Sequence, residues 1–525
     1  MAKKPRQKRR ARPSSPERPE RHPRLSWERV ETAFWLLPVL ALAGLAMAVL
    51  LFDQNLSLSG DNAQFIVLGR SLASGHGLSE TLGIEPIPHT KYPFGFPLML
   101  AVVEAIFPHN ILALKGLVTL LYAFAIPMIY RFVRSYATTP MALSVCLLCL
   151  VSPALLNFSH QVMSEIPFLA ASFLALLMLK HAADTQSSKT LGVAILALMG
   201  AYYIRTAGVA LIGAGIVFFV LHRRFKDAAI IAGAAFLLAL PWYLRNATLG
   251  GGGYLRQFLL SVDPYRPEQG LLGLSTLTER ILANLKIYGL NEIPRVFVPS
   301  FIARGDASWF FGFITGAILL HAVIQGLRKR ELPAVYLAFY LAMCLLWPQV
   351  WSDTRFLLPA IPLISYAVLR GASDLLGHLG ARVSALSPAP VLVILLLVSL
   401  GSNVYTTRQL AAQIGNYPAN WKNYFDAGTW IRQNTDPNVV VACRKPYLIH
   451  VMANRSVTGY PWGSPEDIIR DFEKNNVGIV VVDQLGFSST PRYLVPAVNA
   501  SKERFRILHT IPGPDTYILE FGQNP

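Results

Sequence analysis

The chain has 525 residues, of which 53% are hydrophobic and only 15% charged, with a formal net charge of +17. Ordinary soluble domains carry about 25% charged residues, and 28 Phe, 20 Tyr and 9 Trp give far more apolar surface than a disordered chain holds. Four cysteines are too few for a disulfide framework at this length, which leaves an α-helical multi-pass membrane protein.

Residues 1–30 form a tail rich in Lys, Arg and Pro, expected to be disordered and cytoplasmic. No aromatic residues are interleaved with the basic cluster at 3–12, so nucleic acid is not an expected partner; anionic membrane lipid is. A membrane span needs roughly 20 apolar residues, because each adds about 1.5 Å against a hydrocarbon core of about 30 Å. The first is 35–52, too long for the apolar region of a signal peptide and therefore read as an uncleaved anchor. Further runs cover 111–132, 140–156, 166–179, 190–203, 207–221, 228–240, 309–326, 332–347, 356–369 and 391–404. The stretch 94–107 is shorter and carries Pro97 and Glu104, which predicts a re-entrant or juxtamembrane helix.

Charge placement resolves that ambiguity. If 94–107 does not cross, Arg131, Arg134, Lys180, Lys189, Arg223, Arg224, Lys226, Arg328, Lys329, Arg330, Arg370 and Arg382 all share the side of the tail. If it did cross, every later basic cluster would invert. The positive-inside rule therefore predicts eleven crossings with the N-terminus inside. The expected organisation is a tail at 1–30, a membrane domain at 31–405 with outer loops at 53–93 and 245–306, and an extracytoplasmic α/β domain at 406–525. In that last domain 438–443, 477–483 and 505–511 read as strands, and 447–453 and 465–474 as helices.

The polar residues near the outer span ends follow a pattern. Ser59-Gly60-Asp61-Asn62-Ala63-Gln64-Phe65 lies just beyond the first span, followed by an amphipathic stretch ending in Gly75-His76-Gly77. His89-Thr90-Lys91-Tyr92-Pro93-Phe94-Gly95-Phe96-Pro97 then turns back toward the membrane. Farther on come Ser159-His160-Gln161-Val162-Met163-Ser164-Glu165, Tyr202-Tyr203-Ile204-Arg205-Thr206, Pro241-Trp242-Tyr243-Leu244-Arg245-Asn246 and Asp353-Thr354-Arg355-Phe356-Leu357-Leu358-Pro359. In this order and on this common side, they resemble the GT-C superfamily of polyprenyl-phosphate-sugar glycosyltransferases. The likeness is to the protein-mannosyltransferase and aminoarabinose-transferase branch and spans most of residues 30–370.

The resemblance implies an inverting, integral-membrane glycosyltransferase. Its donor would be a polyprenyl-phosphate-linked sugar, and its acceptor a glycan, lipid or protein on the outer face of the cell (inner or plasma) membrane. Asp61 matches the family's catalytic base, and Glu165 the second outer acid, which orients the acceptor or assists the base; an acid near a helix N-terminus is the alternative reading of Glu165. Lys91 matches the lysine that contacts the lipid phosphate, and Arg355 the late Arg-aromatic-Leu-Leu-Pro position. Arg205 and Arg245, at outer span ends, are further candidates for the phosphate, since a planar guanidinium suits its oxygens. Tyr92 and His160 complete the candidate substrate-binding set. Snorkelling to the interface is the alternative for each cation.

Some positions depart from the family. Thr90 stands where the aminoarabinose branch has an acid implicated in zinc binding, so a zinc site in the same place is not expected; no cofactor is required, and a divalent metal is allowed but not indicated. Asp61-Asn62 replaces the Asp-Glu pair of protein O-mannosyltransferases, which weakens a protein acceptor. The Trp-Trp-Asp signature of oligosaccharyltransferases is absent, and Tyr460-Pro461-Trp462-Gly463 does not substitute for it. Cys146-x-x-Cys149 lies in an apolar run and reads as packing. Gly250–Gly253 suggests a hinge or a plain linker. Asn246-Ala247-Thr248 and Asn499-Ala500-Ser501 fit glycosylation sequons, a match short enough to arise by chance. A lipid-sugar flippase and a non-catalytic glycan-binding scaffold are the alternative functions. The first would place ionisable groups near the midplane rather than at one set of span ends.

Overall fold

The computed structural model describes residues 35–522 apart from 84, 252–260, 265–268, 306–307 and 381–387. The expected tail and Gly252–Gly253 of the expected hinge lie outside the described residues.

Each of the eleven apolar stretches coincides with helix. In chain order the helices are α1 (Leu36–Leu50), α2 (Gly60–Ala73), α3 (Gly95–Ile106), α4 (Ile111–Arg134), α5 (Thr139–Val151), α6 (Pro153–Phe158), α7 (Glu165–Thr185), α8 (Ser188–Ile204), α9 (Gly208–Leu221) and α10 (Phe225–Thr248). They continue with α11 (Leu274–Ile287), α12 (Ser308–Arg328), α13 (Leu332–Leu346), α14 (Ile361–Gly380) and α15 (Pro388–Ala411). Helices are the natural outcome for such sequences, because hydrocarbon offers backbone N–H and C=O groups no partner. Six segments, including Ile111–Arg134 and Ser308–Arg328, are long and apolar enough to cross by themselves. Others are short: the fifteen residues of α1 rise only about 22 Å. Large apolar side chains such as Val39, Leu42, Phe236, Leu237, Phe313 and Leu397 are exposed, as lipid-facing positions would be. This is a mostly helical, multi-pass membrane protein.

Two boundaries differ from the expectation for physical reasons. The run 140–156 divides into α5 and α6 because Pro153 begins a new helix that Ser152 caps, its hydroxyl accepting from the Leu155 amide at 3.4 Å. The run 228–240 belongs to a helix extending to Thr248, so Arg245 and Asn246 sit on α10 rather than opening a loop. Asn246 is buried and donates to the Thr90 carbonyl at 3.2 Å, so the first sequon is not presented for glycosylation.

The expected outer loop 53–93 is largely structured. It holds α2 and a two-strand hairpin, β1 (Ser79–Glu80) with β2 (Ile87–Pro88). Helix α3 packs so closely on α2 that a Cβ on Gly69 would lie 2.8 Å from the Leu100 Cβ. Arg70 on α2 pairs with the buried Glu104 on α3 at 3.2 Å, which accounts for the acid in that otherwise apolar segment.

After α15 come α16 (Ala419–Asn434), β3 (Val440–Ala442), α17 (Pro446–Ala453), β4 (Ser456–Thr458), α18 (Pro465–Lys474), β5 (Val477–Val482), β6 (Phe505–Ile511) and β7 (Thr516–Phe521). The sheet order is β4-β3-β5-β7-β6, with β3 parallel to β4 and β5, and β7 antiparallel to both β5 and β6. Helix α16 and strands β4 and β7 were not anticipated. The Val457 amide donates to the Leu82 carbonyl at 2.7 Å, and the β6–β7 register slips between Ile507 and His509.

Candidate active site

Asp61 occupies the first turn of α2, where the helix N-terminus favours a carboxylate. Its neighbour Asn62 is buried, and its side-chain oxygen accepts from the Val162 amide at 3.0 Å. That bond holds the 159–165 segment against α2 and brings Glu165, the first residue of α7, toward Asp61. Arg355 spans the two acids. Its Nη1 meets Asp61 Oδ2 at 2.9 Å, and its Nε donates to Glu165 Oε1. Arg205 closes α8 in extended conformation and reaches the same Glu165 oxygen at 2.7 Å and the Ser164 hydroxyl at 2.9 Å. Asp353 fixes the start of the Arg355 turn by accepting from the Arg355 amide at 2.8 Å. Phe356 lies under both guanidiniums, 5.3 Å from that of Arg205 and 5.7 Å from that of Arg355.

Lys91 and Tyr92 enter from the hairpin side. Tyr92 stacks on Phe65 at 4.6 Å, and the Lys91 ammonium lies 4.8 Å from the Tyr92 ring centre. Their position depends on His89, whose Nε2 accepts from the Tyr92 amide at 2.7 Å. Its Nδ1 is thereby the donor to Glu80 Oε1 at 2.7 Å. Glu80 also accepts from Gln64 on α2 at 2.8 Å and from the Tyr447 hydroxyl on α17 at 2.5 Å. One carboxylate thus ties together the hairpin, α2 and the C-terminal sheet region. Burial pushes Glu80 up, but these hydrogen bonds more than offset it and hold it below its usual range.

Asp61, Lys91, Tyr92, Arg205 and Arg355 share the wall of one cavity of about 240 Å³, with Phe65, Trp347, Trp351, Asp353 and Phe356. Burial raises the Asp61 carboxyl, but the charges of Arg355 and Lys91 outweigh it, so Asp61 stays below the usual carboxylate range and is ionised at neutral pH. Burial lowers the Lys91 ammonium, partly opposed by Asp61.

The other candidates lie elsewhere. Glu165 has no exposed side-chain surface; it is the buried counter-ion of two arginines and does not face the cavity. His160 lines a separate cavity of about 520 Å³ with Asp53, Lys115 and Tyr417. Arg245 is turned away from the Asp61 cavity, donating to the carbonyls of His89 (2.9 Å) and Leu78 (3.3 Å). It clamps the hairpin that carries Lys91. Trp347 and Trp351, which the sequence reading passed over, belong to the cavity wall. Their segment is held by Asn284 on α11, whose Nδ2 donates to the Trp347 carbonyl at 2.7 Å. The clue was the spacing Trp347-Pro348-x-x-Trp351-x-Asp353, directly before the Arg355 motif. Among the described residues no three His, Cys, Asp or Glu side chains converge on one point.

Residues 91–244 match the family model of dolichyl-phosphate-mannose-protein mannosyltransferases, a stretch holding Lys91, Tyr92, Glu165 and Arg205. The fold matches that of the oligosaccharyltransferase of Archaeoglobus fulgidus tethered with an acceptor peptide, with TM-score 0.56 and 14% identity over 93% of this chain and 74% of that one. It also matches ArnT from Cupriavidus metallidurans bound to undecaprenyl phosphate, with TM-score 0.56 and 13% identity over 93% and 98% of the two chains. The chain shares the fold of these proteins and, over residues 91–244, the sequence pattern of the family model. No curated protein sequence matches it significantly. Asp61 and Arg355 fall outside the span of the family model, so their part in the site rests on the geometry above.

Proposed function

We propose that this chain is a polyprenyl-phosphate-sugar glycosyltransferase that transfers its sugar with inversion to an acceptor hydroxyl on the extracytoplasmic face of the cell membrane. The observation that carries the proposal is a partly exposed, ionised Asp61 in a cavity walled by Lys91, Arg205 and Arg355. The donor's phosphodiester is an anion, and these cations at the outer helix ends are suited to receive it. As the acceptor oxygen attacks the anomeric carbon, Asp61 takes its proton. The bond from that carbon to the phosphate oxygen breaks, leaving its electron pair on the lipid phosphate. Lys91 and Arg205 stabilise the charge that grows there, while the cavity's aromatic wall limits competing water. Arg355 holds the Asp61 carboxylate in register, and Glu165 keeps the two guanidiniums together against their mutual repulsion. The tail is cytoplasmic in this reading and the C-terminal α/β domain extracytoplasmic, the basic connections α4–α5, α7–α8, α9–α10, α12–α13 and α14–α15 lying inside.

The decisive experiment is Asp61→Asn in purified protein supplied with radiolabelled polyprenyl-phosphate sugars. Transfer should fall by about 10²–10⁴-fold, the usual worth of a general base, with retention of the lipid donor. Wild-type transfer rates in that variant would remove Asp61 as the base.

A further inference from the structure

The C-terminal sheet carries a second group of side chains aimed at the same region. Strand β3 is central among the parallel strands: the chain runs from it to β4 on one side and later to β5 on the other. In such sheets the crevice outside the carboxyl ends of the two strands where the order reverses is the natural place for a ligand. Here those ends deliver Arg444 and Lys445 after β3, and Asp483 and Phe487 after β5. Tyr460 and Trp462 follow the neighbouring β4.

The chemistry at this crevice is unbalanced. The Arg444 guanidinium lies 4.8 Å from the Phe487 ring centre and the Lys445 ammonium 4.4 Å. Among the described residues neither is ion-paired with a carboxylate, and the buried Arg444 Nε has no hydrogen-bond partner. The nearby acid, Asp483, is buried and already accepts from the Leu485 amide at 3.0 Å and the Thr490 hydroxyl at 3.1 Å. Trp462 is 65% exposed, its ring stacked on Tyr493 at 6.4 Å and within 5.9 Å of the Arg444 guanidinium. An exposed indole beside a guanidinium is costly to leave in water and suits a ligand with a ring face and a negative charge.

The crevice also adjoins the Asp61 cavity. Arg444 and Lys445 immediately precede α17, which docks on α2 through the Tyr447 hydroxyl to Gln64 at 2.9 Å, one helical turn from Asp61. The Asp61 charge acts on Lys445, opposing the lowering that burial and Arg444 impose on its ammonium. We propose that this crevice seats the acceptor as an anionic glycan: a sugar ring stacks on Trp462, a phosphate or carboxylate of the same glycan lies on Arg444 and Lys445, and a hydroxyl is thereby presented to Asp61. The proposal rests on the reading of Asp61 as base and adds the acceptor's chemical class to it.

The test uses the purified full-length protein immobilised on an array of neutral, carboxylated and phosphorylated glycans. Wild type and Asp61→Asn should both retain charged glycans in preference to neutral ones. The double variant Arg444→Gln/Lys445→Gln should lose that retention by about tenfold or more, and Trp462→Ala should weaken it too. Comparing phosphorylated with carboxylated members tells which anion is preferred. Lack of preference for charged glycans in the wild type, including no retention at all, overturns the proposal. So does undiminished retention in Trp462→Ala, whose exposed ring can be removed without threatening the fold should the double variant not fold. Full transfer by Asp61→Asn would instead remove the base while leaving the crevice intact, so the two failures are distinguishable.

Discussion

Asp61 and Glu165 are both acids held by Arg355, yet their surroundings give them opposite tasks. The Asp61 side chain keeps 32% of its surface and the Glu165 side chain none. Only the first lines the cavity; the second neutralises two cations that would otherwise repel across a buried gap. Glu165→Ala removes the acid the two guanidiniums share and leaves Arg205 without its carboxylate, a change of about 3–5 kcal/mol for a broken buried ion pair. Its melting temperature in detergent should therefore fall well below that of Asp61→Asn, and equal melts would mean that Glu165 is not structural. With Asp61 as the proposed base, its depressed carboxyl sets the expected acid side of the pH profile. Because Lys91 and Arg355 hold it below its ordinary range, the base stays ionised as pH falls through that range and is lost only lower. Lys91→Gln removes one of those charges, so the acid limb of kcat/KM should move to higher pH, whatever the loss in donor affinity; kcat/KM reports the free enzyme. An unmoved limb would place the titrating group elsewhere.

At the level of elements, the site depends on how tightly α3 approaches α8. A Cβ on Gly95 would sit 2.6 Å from the Tyr203 carbonyl carbon and oxygen, a contact with backbone that cannot swing aside. Gly95→Ala must push the Lys91–Tyr92 segment away from Arg205, at about 1–3 kcal/mol for overpacking. It should weaken donor binding more than it slows transfer from bound donor, which saturation kinetics can separate. The apolar helices were legible because hydropathy over twenty residues is a strong signal. Helix α16 was not: its lysine, aspartate, arginine and three asparagines mask a buried stripe of Tyr424, Phe425 and Ile431 that only its partners explain. The three residues of β4 are too few for any periodicity. Among single residues, Asp61, Lys91 and Arg355 were legible as outer polar positions in ordered motifs. Arg245 lies away from the cavity, and in sequence a cation at a helix end looks the same whether it faces a phosphate or, as here, two carbonyls of a neighbouring hairpin. Glu80 escaped notice since nothing local distinguishes it; its partners Gln64, His89 and Tyr447 are scattered along the chain.

For the molecule as a whole, the orientation in the membrane is open to direct labelling. Cys146, Cys149, Cys344 and Cys443 are all buried, so an introduced thiol stands out against little background. A cysteine at the exposed Ser74, beyond α2, should react with an impermeant maleimide on intact cells, and one at the exposed Ser188, the first residue of α8, only after permeabilisation. The reverse pattern would invert the topology and take the Asp61 cavity to the cytoplasm.

The Leu82 contact and the slipped register of β6 have one further effect. A five-stranded sheet on a membrane surface offers two open ladders at high two-dimensional density, and an open ladder is a template on which a neighbour's strand can pair. On one rim the Val457 amide is already taken by the Leu82 carbonyl of the same chain. On the other, the bulge after Ile507 bends β6, while Arg506 holds Glu520 at 2.7 Å and leaves a charged border. With one rim occupied and the other bent, adjacent copies have no straight strand to zip together.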